Sequence, residues 1–97
     1  MSVPLYKSIS QGNSATALYG TAQTIKFGVQ IRFGTQNTGR LAIGFADTVT
    51  CESAAATDGY QLAAGESIWI PKEIAGDLTS VFLIASTSAQ IVYILAF

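Results

Sequence analysis

The sequence predicts an all-β protein: a compact antiparallel β-sandwich, jelly-roll-like, folded as a single domain over residues 1–97. Three observations point there. Hydrophobicity alternates with period two along most of the chain. Short apolar runs are separated by turns rich in Gly, Ser, Thr and Asn. A chain of 97 residues is long enough to close one hydrophobic core and too short for two.

The opening SVPLYKSISQG combines a proline with Leu5 among short polar residues. Residues 1–12 are expected to form an extended N-terminal arm that could add a strand to another protein's sheet edge. Residues 24–33, TIKFGVQIRF, alternate strictly, with Ile25, Phe27, Val29, Ile31 and Phe33 on one face and Thr24, Lys26, Gly28, Gln30 and Arg32 on the other. That pattern predicts a half-buried strand. GTQNTGR is dense in turn residues, and RLAIGFA then sets Leu41, Ile43 and Phe45 against Ala42, Gly44 and Ala46, so a hairpin is expected. The small residues on its second face permit close approach of another layer or another subunit.

DTVTCESAAATDGY loses the alternation and reads as a surface loop ending in an Asp58-Gly59 turn. After the short strand YQL, Ala64-Gly65-Glu66 turns the chain into SIWIP, where Pro71 ends the ladder because it has no N–H. Gly65 gives that turn its backbone freedom, and Glu66 is placed either to satisfy nearby turn amides or to form a salt bridge with a neighbour. KEIAGDLTS predicts one helical or 3₁₀ turn broken at Gly76. Two strands close the chain around Thr87-Ser88-Ala89, and both are apolar on both faces. Val81, Leu83 and Ala85 oppose Phe82 and Ile84; Ile91, Tyr93, Leu95 and Phe97 oppose Val92, Ile94 and Ala96. One face of each lines the core, and the other needs a cover: a loop, the N-terminal strand or a neighbouring subunit. Six to eight short strands of this kind suit a sandwich, jelly roll or small barrel.

Composition narrows the function. Charged residues are 11% of the chain and the net charge is −1, so copies repel one another little and self-association is easy. Lys7, Lys26, Arg32, Arg40 and Lys72 are dispersed and form no basic stripe, so no nucleic-acid partner is expected. No segment approaches the roughly 20 apolar residues of a membrane helix, and MSVPLYKSIS has no secretory pattern. No membrane partner is expected, and synthesis in cytoplasm is. The ending IVYILAF differs from an outer-membrane barrel strand because its second face, Val92, Ile94 and Ala96, is apolar.

Histidine is absent, which removes the commonest general base and every Ser-His or Cys-His pair. Asp47, Glu52, Asp58, Glu66, Glu73 and Asp77 lie mostly in turns, where carboxylates cap and solvate. Asp47, Glu52 and Asp58 lack the DxDxDG order of a calcium loop. Cys51 is the only cysteine, with no basic neighbour to activate it, so it is expected to pack. Neither GxGxxG nor GxxxxGK[ST] occurs. The residues thus predict no enzyme, no catalytic or metal site and no cofactor. Trp69 should point outward, because Ile68 and Ile70 take the core face. It reads either as a lid on the sandwich edge or as an interface anchor, with sugar stacking a further alternative.

The stretches LAIGFADTVTCESAAATDGYQLAAGESIWIP and LTSVFLIASTSAQIVYILAF resemble a pattern of small tailed-phage virion structural proteins. The matching positions are Ile43-Gly44, Gly59-Tyr60, Leu62, Gly65-Glu66 and Leu78 through Ala85-Ser86, within residues 41–97. The resemblance implies a compact, non-enzymatic β-sandwich that decorates or cements capsids or serves as a module of other phage structural proteins, and the small size of the chain favours a capsid decoration, or cement, protein on the virion's capsid surface. Its implied partners are the major capsid protein and further copies of itself, as a homotrimer. A tail, baseplate or fibre component is the alternative. A small carbohydrate- or ligand-binding sandwich using Trp69 and Tyr60 is the reading from a different class. Interface candidates are Leu5, Tyr6, Tyr60, Trp69, Phe82 and Ile94.

Overall fold

The structure, a computed structural model, describes residues 5–12, 14–51, 58–87 and 89–97, with the backbone alone for residues 5–8 and 11. Among them run β1 (Leu5–Gln11), β2 (Thr16–Ala17), β3 (Gly28–Phe33), β4 (Leu41–Gly44), β5 (Tyr60–Leu62), β6 (Ser67–Pro71), α1 (Lys72–Ala75), β7 (Phe82–Ala85) and β8 (Gln90–Ala96). The strands form two four-stranded antiparallel sheets, ordered β1-β8-β3-β6 and β2-β7-β4-β5. The pairings nest: β1 with β8, β2 with β7, β3 with β6 and β4 with β5. The chain is in effect one long hairpin with its tip at β4 and β5, rolled until β8 also meets β3 and β7 also meets β4. The all-β sandwich predicted by the alternation is the fold observed.

The inner faces make one core. From the first sheet come Val29, Ile31, Phe33, Ile70, Val92, Ile94 and Ala96; from the second, Leu41, Ile43, Leu62 and Leu83; Leu18, Ile25, Ala75, Leu78 and Val81 join the same cluster. Each large aliphatic or aromatic side chain buried this way contributes about 1.5–3 kcal/mol. On β8 the alternation resolves cleanly: Val92, Ile94 and Ala96 face in, while Tyr93 is exposed and Ile91 and Leu95 are half-buried.

Several expectations change. The predicted hairpin between TIKFGVQIRF and RLAIGFA is a crossing from one sheet to the other, since β3 and β4 lie in different sheets. Period two reveals a strand's faces but not its partner. The crossing is held by the start of β8: the Asn37 side-chain amide donates to the Ile91 carbonyl at 2.6 Å, and its oxygen accepts from the Ile91 N–H at 3.1 Å. Buried Gln90 accepts from the Thr38 N–H at 2.8 Å.

Strand β3 also starts later than its alternation suggests. The N–H groups of Lys26 and Phe27 both donate to the Phe97 carbonyl. The chain bends around that oxygen, and Phe27 is 63% exposed instead of facing the core. The segment expected as an extended arm pairs with the chain's own sheet: β1 meets β8 from Leu5 opposite Ala96 to Gln11 opposite Gln90.

The small residues of β4 do admit another layer, and it belongs to the chain itself. Ala42 is fully buried, and Val49, on the segment after β4, lies so close to Gly44 that a Cβ there would meet its Cγ2 at 2.6 Å. The base of the following loop is closed by a Thr50–Asp58 bridge, in which the Thr50 hydroxyl donates to the Asp58 carboxylate at 2.6 Å. Residues 52–57, including Glu52, lie outside the described residues.

Candidate functional site

Strands β5 and β6 are the free edges of their sheets on the same side of the sandwich. The local sequence puts β6 in place. Gly65, at φ +84°, makes the turn. The Glu66 carboxylate accepts from the Ala63 N–H at 2.6 Å, while the Glu66 N–H donates to the Ala63 carbonyl at 3.0 Å. Of the two roles expected of Glu66, the bond to a turn amide is the one found, beside the turn expected at Gly65.

Beyond the turn, Ile68 and Ile70 face the core and Trp69, opposite Gln30, faces out. Its indole lies across Gly28, where a Cβ would meet it at 2.7 Å, and its ring centroid stands 6.0 Å from that of Phe97 in a tilted arrangement. The indole thus covers a gap left by a missing side chain and remains 48% exposed.

At the β5/β6 edge the two sheets do not close completely. An open apolar cleft of about 190 Å³ lies between them, lined by Ile43, Ile68 and Ile70 and bordered by Phe45, Tyr60, Trp69, Pro71 and Ile74. Among the described residues the exposed large hydrophobics are Phe27, Phe45, Tyr60, Trp69, Ile74 and Tyr93. Four of the six border this cleft, which makes it a contiguous apolar patch and not scattered exposure.

The strand edge adds polar capacity. The Phe33 N–H donates to the Glu66 carbonyl and the Lys72 N–H to the Phe27 carbonyl. By antiparallel alternation Ile68 and Ile70 therefore bond to β3, and the main-chain groups of Ser67 and Trp69 point off the sheet. Pro71 contributes no donor there. A partner can therefore fill the cleft with apolar side chains and meet a short run of free backbone groups.

The sequence-predicted candidates divide. Tyr60 and Trp69 come together at the cleft. Phe82 is half-buried on the outer face of β7, opposite Ala17 and Gly44. Ile94 is fully buried in the core, so it offers no surface to a partner. Both faces of its strand are apolar, and the alternation could not rank them. Leu5 and Tyr6 sit in register with Ala96 and Leu95, and their side chains are outside the described residues. Phe45 and Ile74 escaped sequence reasoning. Phe45 continues the core-face series of β4 one step past the strand's end, and Ile74 projects from a single helical turn.

The described carboxylates with assigned contacts serve local turns. Asp58 holds Thr50, Glu66 holds Ala63, and Asp77 accepts from the Thr79 hydroxyl and N–H. Those Thr79 bonds, the hydroxyl's first, hold the Asp77 carboxyl below its usual range. Among the described residues no group of three or more His, Cys, Asp or Glu could hold a metal ion, and no helix is long and apolar enough to cross a membrane.

Fold and surface together define an all-β sandwich with an apolar cleft between two open sheet edges. No family model, curated protein or solved structure matches the chain.

Proposed function

We propose that this chain is a non-enzymatic structural subunit of a phage virion, a jelly-roll capsid decoration protein that works by docking. The observation that carries the reading is the β5/β6 cleft, where Phe45, Tyr60, Trp69 and Ile74 expose apolar surface beside free strand-edge groups. Buried Trp and Tyr at the centre of a patch supply much of the affinity of protein interfaces.

Two further features support it. The nested strand order, 1-8-3-6 facing 2-7-4-5, is the pattern of a hairpin rolled into two Greek keys, an architecture that recurs in viral capsid and lectin domains. The spacing of Gly59-Tyr60, Leu62 and Gly65-Glu66 resembles that of small tailed-phage virion proteins. A subunit that binds only the assembled shell stabilises that shell by mass action.

The test has two readings on one preparation: light scattering of the purified chain, and co-sedimentation with empty heads produced by the genome that encodes it. A trimer that sediments with heads, and loses them on Trp69→Ala, is the expected result. A monomer that leaves heads bare overturns the decoration role, and label found on tails in electron micrographs reassigns the chain to a tail, baseplate or fibre.

A further inference from the structure

The outer face of the β1-β8-β3-β6 sheet carries a second concavity, separate from the cleft. It has a volume of about 500 Å³, and the described side chains that line it from the outer face are Gln30, Arg32, Thr35, Tyr93 and Leu95. That size falls within the roughly 300–1,000 Å³ typical of ligand pockets. It exceeds the about 150 Å³ in which a single benzene ring settles.

The register explains how its chemistry is assembled. Arg32 on β3 lies between Tyr93 on β8 and Ser67 on β6, and Gln30 lies between Leu95 and Trp69. The Gln30 amide nitrogen reaches the Ser67 hydroxyl at 3.4 Å, a bond that does not use its carbonyl oxygen as an acceptor. Thr35 adds a hydroxyl that both donates and accepts. Tyr93, 38% exposed, offers an aromatic surface.

Among the described residues of the lining, Arg32 is the one that carries a charge. Among the described residues no hydrogen bond, ion pair or ring contact engages its guanidinium. A planar fork of five donors left open on a groove floor is matched by a carboxylate, which it can grip through two parallel bonds. Apolar ring surface, neutral acceptors and one cation, close together, suit a ligand with a flat apolar face, several hydroxyls and one negative charge.

We propose that this groove binds an acidic saccharide, one carboxylate-bearing sugar residue of a glycan chain. The ring stacks on Tyr93, its hydroxyls bond Gln30 and Thr35, and its carboxylate is held by Arg32. Among the described residues the site shares no lining residue with the β5/β6 cleft, so it stands or falls independently of the docking role.

The test is a titration of the whole chain with trigalacturonate, followed by amide NMR shifts, beside the same trimer with its carboxylates methyl-esterified. Expected are saturable shifts centred on Gln30, Arg32, Thr35 and Tyr93 with the acid and a response at least about tenfold weaker with the ester. Added salt should weaken the acid's binding. Arg32→Gln and Tyr93→Ala, both at exposed positions, should each weaken binding about tenfold or more while the rest of the spectrum stays native. Arg32→Lys keeps the charge without the fork and should fall between. Absence of saturable shifts overturns the proposal, as does binding that both variants leave unchanged. Equal shifts with triglutamate also overturn it, because charge alone would then be the determinant.

Discussion

On the outer face of the β2-β7-β4-β5 sheet, Ala42 is fully buried and Val49 closes over Gly44. On the outer face of the other sheet, Gln30, Arg32, Trp69 and Tyr93 all reach solvent. Both sheets supply the same kind of inner face to one core, so the difference comes from the segments that leave the strands. After β4 the chain folds back as its own roof; β3 and β8 have no such cover at Arg32 and Tyr93. A covered face contributes to stability, and an uncovered one remains available for recognition. On β4 the covered positions are the small Ala42 and Gly44, while the open positions of β3 and β8 carry the long Arg32 and the aromatic Tyr93.

The largest effect separates the inner and outer faces within one strand. Ile94→Ala removes a fully buried side chain and should cost about 2–5 kcal/mol in urea unfolding. Leu95→Ala, its half-buried outward neighbour, should cost under about 1.5 kcal/mol. Equal costs would mean that β8 has a second covered face, and the contrast between the sheets would fail.

Next comes the roof. Gly44→Ala would place a Cβ 2.6 Å from Val49 Cγ2 and should cost about 1–3 kcal/mol through overpacking. Val49→Ala on its own should also destabilise, since Val49 is buried. The double variant should recover part of the sum, a coupling that a double-mutant cycle would measure at about 0.5 kcal/mol or more. Strict additivity would show that the segment after β4 does not rest on the sheet in solution.

This contrast is partly legible in the sequence. Alternation located β3, β6 and β8 and their faces wherever the two faces differ in polarity, as at Gln30, Arg32 and Trp69. It was silent where both are apolar, which is why Ile94 read as surface. It was also silent about which strands pair. The β3 to β4 crossing depends on Asn37 bonding Ile91, 54 residues away, and no local pattern carries that. The small residues of β4 signalled a close layer but could not say that Val49 supplies it. The cleft was visible in two of its members, Tyr60 and Trp69. The joining of β5 and β6 edges that gathers Phe45 and Ile74 around them is a product of topology.

A smaller effect falls on the open side. Trp69→Ala strips the cover from Gly28 and the contact with Phe97, but the indole is already about half in water. Its loss should cost about 1–1.5 kcal/mol, between a lone aromatic pair and a fully buried ring. The Tm should fall by a few degrees while binding at the β5/β6 edge is lost. A drop as large as that of Ile94→Ala would make Trp69 a core residue and remove it from the recognition surface.

The smallest effect belongs to neither face and serves as the control for both. Asp77 sits in the turn after α1, where the Thr79 hydroxyl and N–H bond its carboxylate and hold its pKa down. A carboxyl depressed in the folded state adds stability above its unfolded pKa and loses it as pH falls through the folded pKa. Thr79→Val removes the hydroxyl donor, so the Asp77 pKa should move up towards the ordinary carboxylate value, and the share of acid destabilisation that Asp77 contributes should shrink, because the folded and unfolded pKa values then lie closer together. Thr79→Ser restores the donor and should restore the depression. Titration of the Asp77 carboxyl by NMR reads this directly. Because the bonds close within two residues, the shift should leave the groove at Arg32 and the cleft at Trp69 unchanged. Movement of either site with Asp77 would mean that the turn after α1, which hydrogen-bonds to Gln23, is mechanically coupled to the recognition surfaces.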